Sequence, residues 1–200
     1  MKRFLLLFLA TVVTAWSASA QLSVSQLRTE HLTDPVGIGE RRPLLSWEVS
    51  DASRRGVTQS AYEIRVKSGG RTVWRTGKVA SAESAGVFYD GTPLTSDTRY
   101  TWQVRVWDDR GKASAWSRPA FWRTGLFDVG EWQARWIEPA VSDDLAAMFR
   151  RTFRVTKPVA EATVYVTAHG IYEASVNGHR VSDDPVSYTH LRAHETKANL

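Results

Sequence analysis

The run Tyr100-Thr-Trp-Gln-Val-Arg-Val-Trp-Asp108 limits what this 200-residue chain can fold into more than any other stretch. Tyr100, Trp102, Val104 and Val106 alternate with Thr101, Gln103, Arg105 and Trp107. A helix, turning about 100° per residue, would scatter the apolar set over all its sides. A pleated strand puts one set on each face. Burying the four apolar side chains contributes ~1.5–3 kcal/mol apiece, so a second layer has to cover them. The same parity turns Trp107 outward together with Arg105.

Shorter strands lead up to this one. Leu44-Leu-Ser-Trp-Glu-Val49 follows Pro43, which suits the start of a strand. Ala61-Tyr-Glu-Ile-Arg-Val66 alternates, and Ser68-Gly69-Gly70 turns it back into Thr72-Val-Trp-Arg75. Val87-Phe-Tyr89 ends at Asp90-Gly91, Asp108-Asp-Arg-Gly111 makes a polar turn, and Phe121-Trp-Arg-Thr124 completes a set of about seven. Turn residues recur at the spacing of an antiparallel sandwich. Leu94, six residues before Tyr100, suits a tyrosine corner, in which the phenol caps a loop backbone. Residues 22–125 therefore read as an immunoglobulin or fibronectin type III-like sandwich. Trp47 and Trp102 are expected in its core, and Trp74 is expected to face outward like Trp107. An outward Trp can stack on a sugar ring or seal a domain interface, so Trp107 and Trp74 are the candidate contact residues.

Gly125 to Gly130 reads as a joint. Beyond it Phe149-Arg-Arg-Thr-Phe-Arg-Val155, Ala162-Thr-Val-Tyr-Val-Thr-Ala168 and Ile171-Tyr-Glu-Ala-Ser-Val176 read as strands. Asn177-Gly178 then signals a hairpin whose central residues take positive φ, with His179-Arg-Val181 returning. About four strands are too few to close a sandwich, so residues 130–184 read as a truncated second β-sandwich. The last sixteen residues, PVSYTHLRAHETKANL, turn polar and helix-leaning. The string SYTHLRAHET is similar to translated adaptor sequence, and residues 185–200 are expected to be unrelated to the sheet.

The opening twenty residues have the layout of a secretory signal. Lys2 and Arg3 precede the apolar run Phe4 to Ala15, and Ala18-Ser19-Ala20 offers a cleavage site before Gln21. The run falls short of the ~20 apolar residues a bilayer span requires, so no membrane span is expected. The mature chain is expected to be secreted or periplasmic. It carries no cysteine, which excludes disulfides, thiolate metal sites and a cysteine nucleophile. The net charge of +5 comes from 26 basic and 21 acidic residues, and falls to +3 without Lys2 and Arg3. With no basic block remaining, nucleic acid is not an expected partner.

A search for chemistry is thin. His190 and His194 stand four apart, but Leu191 occupies the place where a zincin needs glutamate. His169 and His179 sit at turns and read as solvent-facing. No Ser lies in a G-x-S-x-G elbow, and no phosphate-cradling Gly loop occurs. Asp108/Asp109, Asp143/Asp144 and Asp183/Asp184 are adjacent acids, which on a β chain cannot flank one substrate atom. No catalytic, metal or cofactor-binding residue is assigned, and no cofactor is expected.

The order of motifs resembles the N-terminal end of the bacterial α-L-rhamnosidases. The pieces are Arg42-Pro-Leu-Leu-Ser-Trp47, Gln59-Ser-Ala-Tyr62, Val73-Trp-Arg-Thr-Gly-Lys-Val79, Tyr89-Asp-Gly-Thr-Pro-Leu94, Tyr100 to Asp108, and Ala115-Trp-Ser117. They continue with Trp132-Gln-Ala-Arg-Trp-Ile137, Tyr165-Val-Thr-Ala-His-Gly-Ile-Tyr-Glu173 and Val176-Asn-Gly-His-Arg-Val181. The resemblance implies a longer parent, in which this sandwich and a second, jelly-roll-like one precede an (α/α)₆ catalytic barrel. It implies inverting hydrolysis of terminal α-L-rhamnose by carboxylates of that barrel, to which no residue here corresponds. Rhamnose-containing glycans would be met through the absent barrel, and the β blocks would pack on downstream domains. A stand-alone carbohydrate-binding or adhesion module is the alternative.

Overall fold

The computed structural model describes residues 22–140 and 146–181, together with the backbone of 193–195. The proposed signal at 1–20, Asp143/Asp144, Asp183/Asp184 and His190 lie outside the described residues.

The first block is two β layers. One layer is three antiparallel strands, β1 (Ser23–Thr29), β3 (Leu44–Ser50) and β7 (Val87–Phe88), in the order β1-β3-β7. The other runs β2-β9-β8-β4-β5, from β2 (Val36–Ile38), β4 (Gln59–Ser68), β5 (Arg71–Arg75), β8 (Arg99–Asp108) and β9 (Ala120–Thr124). A short β6 (Val79–Ala80) also pairs with β4. The central pair, β4 and β8, is antiparallel and in register from Ala61↔Trp107 to Ser68↔Tyr100. Strand β2 joins β9 in parallel.

The alternation read along β8 is the alternation observed. Tyr100, Trp102, Val104 and Val106 are buried, whereas Thr101, Gln103, Arg105 and Trp107 are half-buried on the other face. Ile64 and Val66 of β4, Leu45 and Trp47 of β3, Tyr89 and Trp122 meet the buried set. Rings dominate this core. Tyr100 stacks on Trp122 at 5.4 Å between centroids, and Tyr89 meets Trp122 edge-on at 5.9 Å. Trp47 meets Tyr62 edge-on and donates from Nε1 to Gln59 Oε1 at 3.0 Å, so its polar edge is satisfied inside. The tyrosine corner is present: Tyr100 Oη accepts the Thr95 N–H at 2.9 Å, with Leu94 buried beside it.

Gly125 to Gly130, read as a joint, is tied to the first block. Glu131 Oε2 accepts from the Ser96 hydroxyl at 2.6 Å and from the Phe127 and Asp128 amides at 3.0 and 3.1 Å. Arg41 pairs with Asp128 at 3.2 Å and lies over the Phe127 ring. A single 3₁₀ turn, Val129–Glu131, follows from these bonds.

The second block holds β10 (Thr163–Tyr165), β11 (Ser175–Val176) and β12 (His179–Arg180). The β11–β12 hairpin turns at Asn177 and Gly178 with φ of 51° and 81°, the positive pair the Asn-Gly dipeptide predicts. Phe149–Val155 is not a strand here. Among the described residues no strand pairs with it, and Phe149 and Phe153 stay exposed. Alternation marks a face that can be buried, and without a partner it forms no ladder. The backbone of β13 (Ala193–Glu195) pairs antiparallel with β10. Among the described residues no helix is long and apolar enough to cross a membrane.

Candidate functional site

The outer face of the larger sheet carries the most developed side-chain constellation, and strand parity puts it there. Because Arg105 lies opposite Glu63, and Gln103 opposite Arg65, the outward residues of β4 and β8 form a polar row. Glu63 is only 2% exposed although it sits on the outer side, because arginines cover it from both flanks. Arg75 Nε donates to Oε1 at 2.6 Å, and Arg105 Nε donates to Oε2 at 2.7 Å. Burial pushes the Glu63 carboxyl up, but these bonds and the two positive charges outweigh it and hold the group below its ordinary value.

The arginines in turn rest on rings. Arg105 lies 4.9 Å from the Trp116 centroid and 5.0 Å from that of Trp107. Arg65 lies 4.2 Å over Trp116, with its guanidinium donating to Gln103 Oε1 at 2.7 and 3.1 Å. Lys78 Nζ is 4.8 Å from the Trp107 centroid, and Arg99 is 3.5 Å from that of Phe121 on β9. Cations and rings thus interleave across the sheet, each contact contributing ~0.5–1 kcal/mol at exposed sites.

Trp116 belongs to no strand, and two serines set its place. Ser114 Oγ accepts the Val106 N–H at 3.0 Å and donates to Ala115 O, while Ser117 Oγ accepts the Val104 N–H at 3.1 Å and donates to Arg118 O. Both serine amides donate back to the same β8 residues. The segment Ser114-Ala-Trp-Ser117 is thereby zipped along the edge of β8, and the indole between the serines lies over the arginines.

Of the two candidate tryptophans, Trp107 faces outward as its parity predicts, though with Lys78 and Arg105 against its ring. Trp74 does not face outward. It pairs with Val66, a core residue, and its ring meets the buried Tyr89 edge-on at 5.0 Å. A register shift between Val66 and Lys67 sets the parity of β5, which the five-residue strand could not reveal alone. Trp116 and Glu63 were missed. The paired serines around Trp116 were the available signal, but the burial of Glu63 depends on Arg75 from another strand.

The remaining sequence candidates serve structure. Asp108 is buried in its turn, with Oδ1 accepting the Arg110 and Lys112 amides at 3.0 and 2.7 Å, and Arg54 pairs with Asp109. His179 is exposed beside its hairpin turn. His169 is exposed as well, but its ring is stacked on Trp136 at 4.2 Å rather than standing alone in solvent. Among the described residues no three His, Asp or Glu converge in a way that could hold a metal ion.

Comparison with known proteins agrees with this layout. Residues 24–128 match the Rha78A-like N-terminal immunoglobulin domain, and residues 157–194 match the α-L-rhamnosidase N-terminal domain. The second match runs into the segment after Pro185 that the composition set apart. An α-L-rhamnosidase of Streptomyces avermitilis is 37% identical over a match covering 80% of this chain and 18% of that protein. One of Formosa agariphila is 31% identical, covering 80% and 19%. The solved α-L-rhamnosidase of Dictyoglumus thermophilum superposes with a TM-score of 0.72 at 32% identity, covering 80% of this chain and 21% of that one. The chain thus spans about a fifth of the length of these relatives. With an immunoglobulin-like block matched over more than half its length and the next domain of the same enzymes matched behind it, the chain belongs to the α-L-rhamnosidase family, of which it represents the N-terminal region.

Proposed function

We propose that this chain is the non-catalytic N-terminal portion of an exported enzyme that removes terminal α-L-rhamnose from glycosides or polysaccharides with inversion. The observation that carries the reading is the match itself: both blocks correspond, in order, to the N-terminal domains of enzymes about five times as long. The side chains support the non-catalytic part. Inverting hydrolysis needs an acid and a base about 6.5–9.5 Å apart across a sugar. Glu63 is instead clamped by two arginines, and Asp108 is spent on turn amides. Export, to the periplasm or outside the cell, rests on the layout of the first twenty residues.

In the whole enzyme the two β blocks would act as a packed scaffold for the catalytic domain. Tyr165 and Glu161 of the second block already reach Asp97 and Arg123 of the first. The purified chain should release no chromophore from a chromogenic α-L-rhamnoside, whereas the full-length protein should. Turnover by the chain alone would overturn the reading. The rival, a free-standing sugar-binding module, needs an open aromatic platform, and Trp107 lies under Lys78 and Arg105.

A further inference from the structure

The outer face of the larger sheet is strongly unbalanced in charge. Among the described residues Arg65, Lys67, Arg75, Lys78, Arg99, Arg105 and Arg123 lie on it or at its edge, against the carboxylates of Glu63, Asp97 and Glu161, the last two of which are held by Arg123. Glu63 is consumed by Arg75 and Arg105. Among the described residues Arg65, Lys67, Lys78 and Arg99 have no carboxylate within ion-pair distance. The cations are also held in place. Arg65 is fixed by Gln103 and Trp116, Arg99 by Phe121, and Lys78 by Trp107. A guanidinium already ordered on a ring loses less freedom when it meets an anion than a free side chain would. A ring neutralises no charge, so these four cations keep a field that a carboxylate would cancel.

We propose that this face binds an acidic polysaccharide, a glycan bearing uronate or sulfate groups along its length. Charge complementarity argues for a repeated anion, since the unpaired cations are spread over β4, β8 and the neighbouring loop instead of converging on one point. The alternative polyanion, a nucleic acid, is bound by stacking bases on open aromatic rings as well as by charge. Here Trp107, Trp116 and Phe121 already carry cations on them. The proposal does not depend on rhamnoside hydrolysis. A chain retained by acidic glycans supports it whether or not the longer protein proves to be a rhamnosidase.

Affinity electrophoresis of the full chain through gels containing polygalacturonate, dextran sulfate, neutral dextran or a single-stranded oligonucleotide tests it. The expected result is retardation by polygalacturonate or dextran sulfate, none by neutral dextran, and loss of retardation as salt screens the surface. Which of the two acidic gels retards more identifies the anion. The triple variant Lys67→Gln/Lys78→Gln/Arg99→Gln, with an unchanged melting curve, should raise Kd about tenfold or more. Should it fail to fold, Lys67→Gln alone should still raise Kd about two- to threefold. Absence of retardation in both acidic gels, equal retardation by neutral dextran, tighter binding to the oligonucleotide, or variants that bind like the parent would each overturn the proposal.

Discussion

Tyr165 donates a 2.6 Å hydrogen bond from its phenol to Asp97 Oδ1, so a strand of the second block is anchored to the loop that enters β8 of the first. Arg123 completes the contact, reaching Asp97 at 2.8 Å and Glu161 at 2.6 Å. The two blocks therefore meet through a polar clamp beside the tied-down segment at Gly125.

The clamp should respond to pH in a defined direction. Burial pushes the Tyr165 phenol up, and the hydrogen bond to Asp97 and its negative charge add to this, to about 12. A group whose pKa is raised on folding contributes fully below its unfolded value of about 10 and loses that contribution as pH climbs toward 12. For Asp97, burial acts upward, but the hydrogen bonds from Arg123 and Tyr165 and the Arg123 charge prevail, and its pKa is lowered. Its contribution is present above about 3.9 and fades as pH falls below that. Tyr165→Phe should cost about 1 kcal/mol near neutrality. In urea melts the difference between parent and variant should stay flat from about pH 5 to 9 and shrink above 10. An undiminished difference at pH 11 would show that the phenol proton is not what holds the contact.

Glu63 should be the most costly polar residue to alter on the outer face. Glu63→Gln removes the charge between Arg75 and Arg105 while keeping the shape. A fully buried ion pair broken this way loses about 3–5 kcal/mol, but Arg75 is 60% exposed in its side chain and can turn to solvent. We expect about 2 kcal/mol. Because the Glu63 pKa is lowered on folding, the parent should approach the variant in stability as pH falls below about 4. A double-mutant cycle with Arg105→Gln should show coupling of about 1 kcal/mol or more, and strict additivity would contradict the clamp.

Gly91 illustrates packing that its turn context conceals. Asp90-Gly91 reads as a turn, yet a Cβ on Gly91 would stand 2.5 Å from both Trp74 Cβ and Tyr89 Oη. Tyr89 cannot yield easily, since its Oη donates to Thr92 O at 2.7 Å and its ring lies between Trp74 and Trp122. Gly91→Ala should destabilise by about 1–3 kcal/mol through overpacking. A thermal melt unchanged from the parent would mean that Trp74 is free to move.

What could be read from the residues, and what could not, follows the range of each cause. The faces of β8, the burial of Trp47, the corner at Tyr100 and the turn at Asn177-Gly178 all arise from neighbours within about ten positions, so local pattern reveals them. The parallel pairing of β2 with β9 joins Val36 to Arg123, and nothing in the three residues Val36–Ile38 announces it. Trp74 was misplaced because a bulge against β4 decides its parity. Phe149–Val155 alternates, but a strand also needs a partner at its side. The outer-face cluster was half legible: Trp107 and Arg105 came from parity, whereas the covering of Glu63 by Arg75 needs the register of a third strand.

The serines flanking Trp116 give the last test, because their role is positional. Ser117 Oγ accepts the Val104 amide and donates to Arg118 O, and Ser117 itself is buried. Ser117→Ala leaves the Ser117 amide bonded to Val104 O but strips the hydroxyl that Val104 N–H addresses, a loss of about 1–2 kcal/mol. Ser114→Ala removes the equivalent acceptor for Val106 and should cost a similar amount. If the serines do set the indole over the guanidinium groups, the double variant should loosen Trp116 as well. The Arg65 side-chain resonances should lose the ring-current shifts that the Trp116 indole imposes on them in the parent, which two-dimensional NMR can read. Trp107→Phe should leave those Arg65 shifts intact, since Arg65 lies over Trp116 and not over Trp107. A double variant that destabilises but keeps the Arg65 shifts would separate stability from positioning and assign Trp116 its place by packing alone.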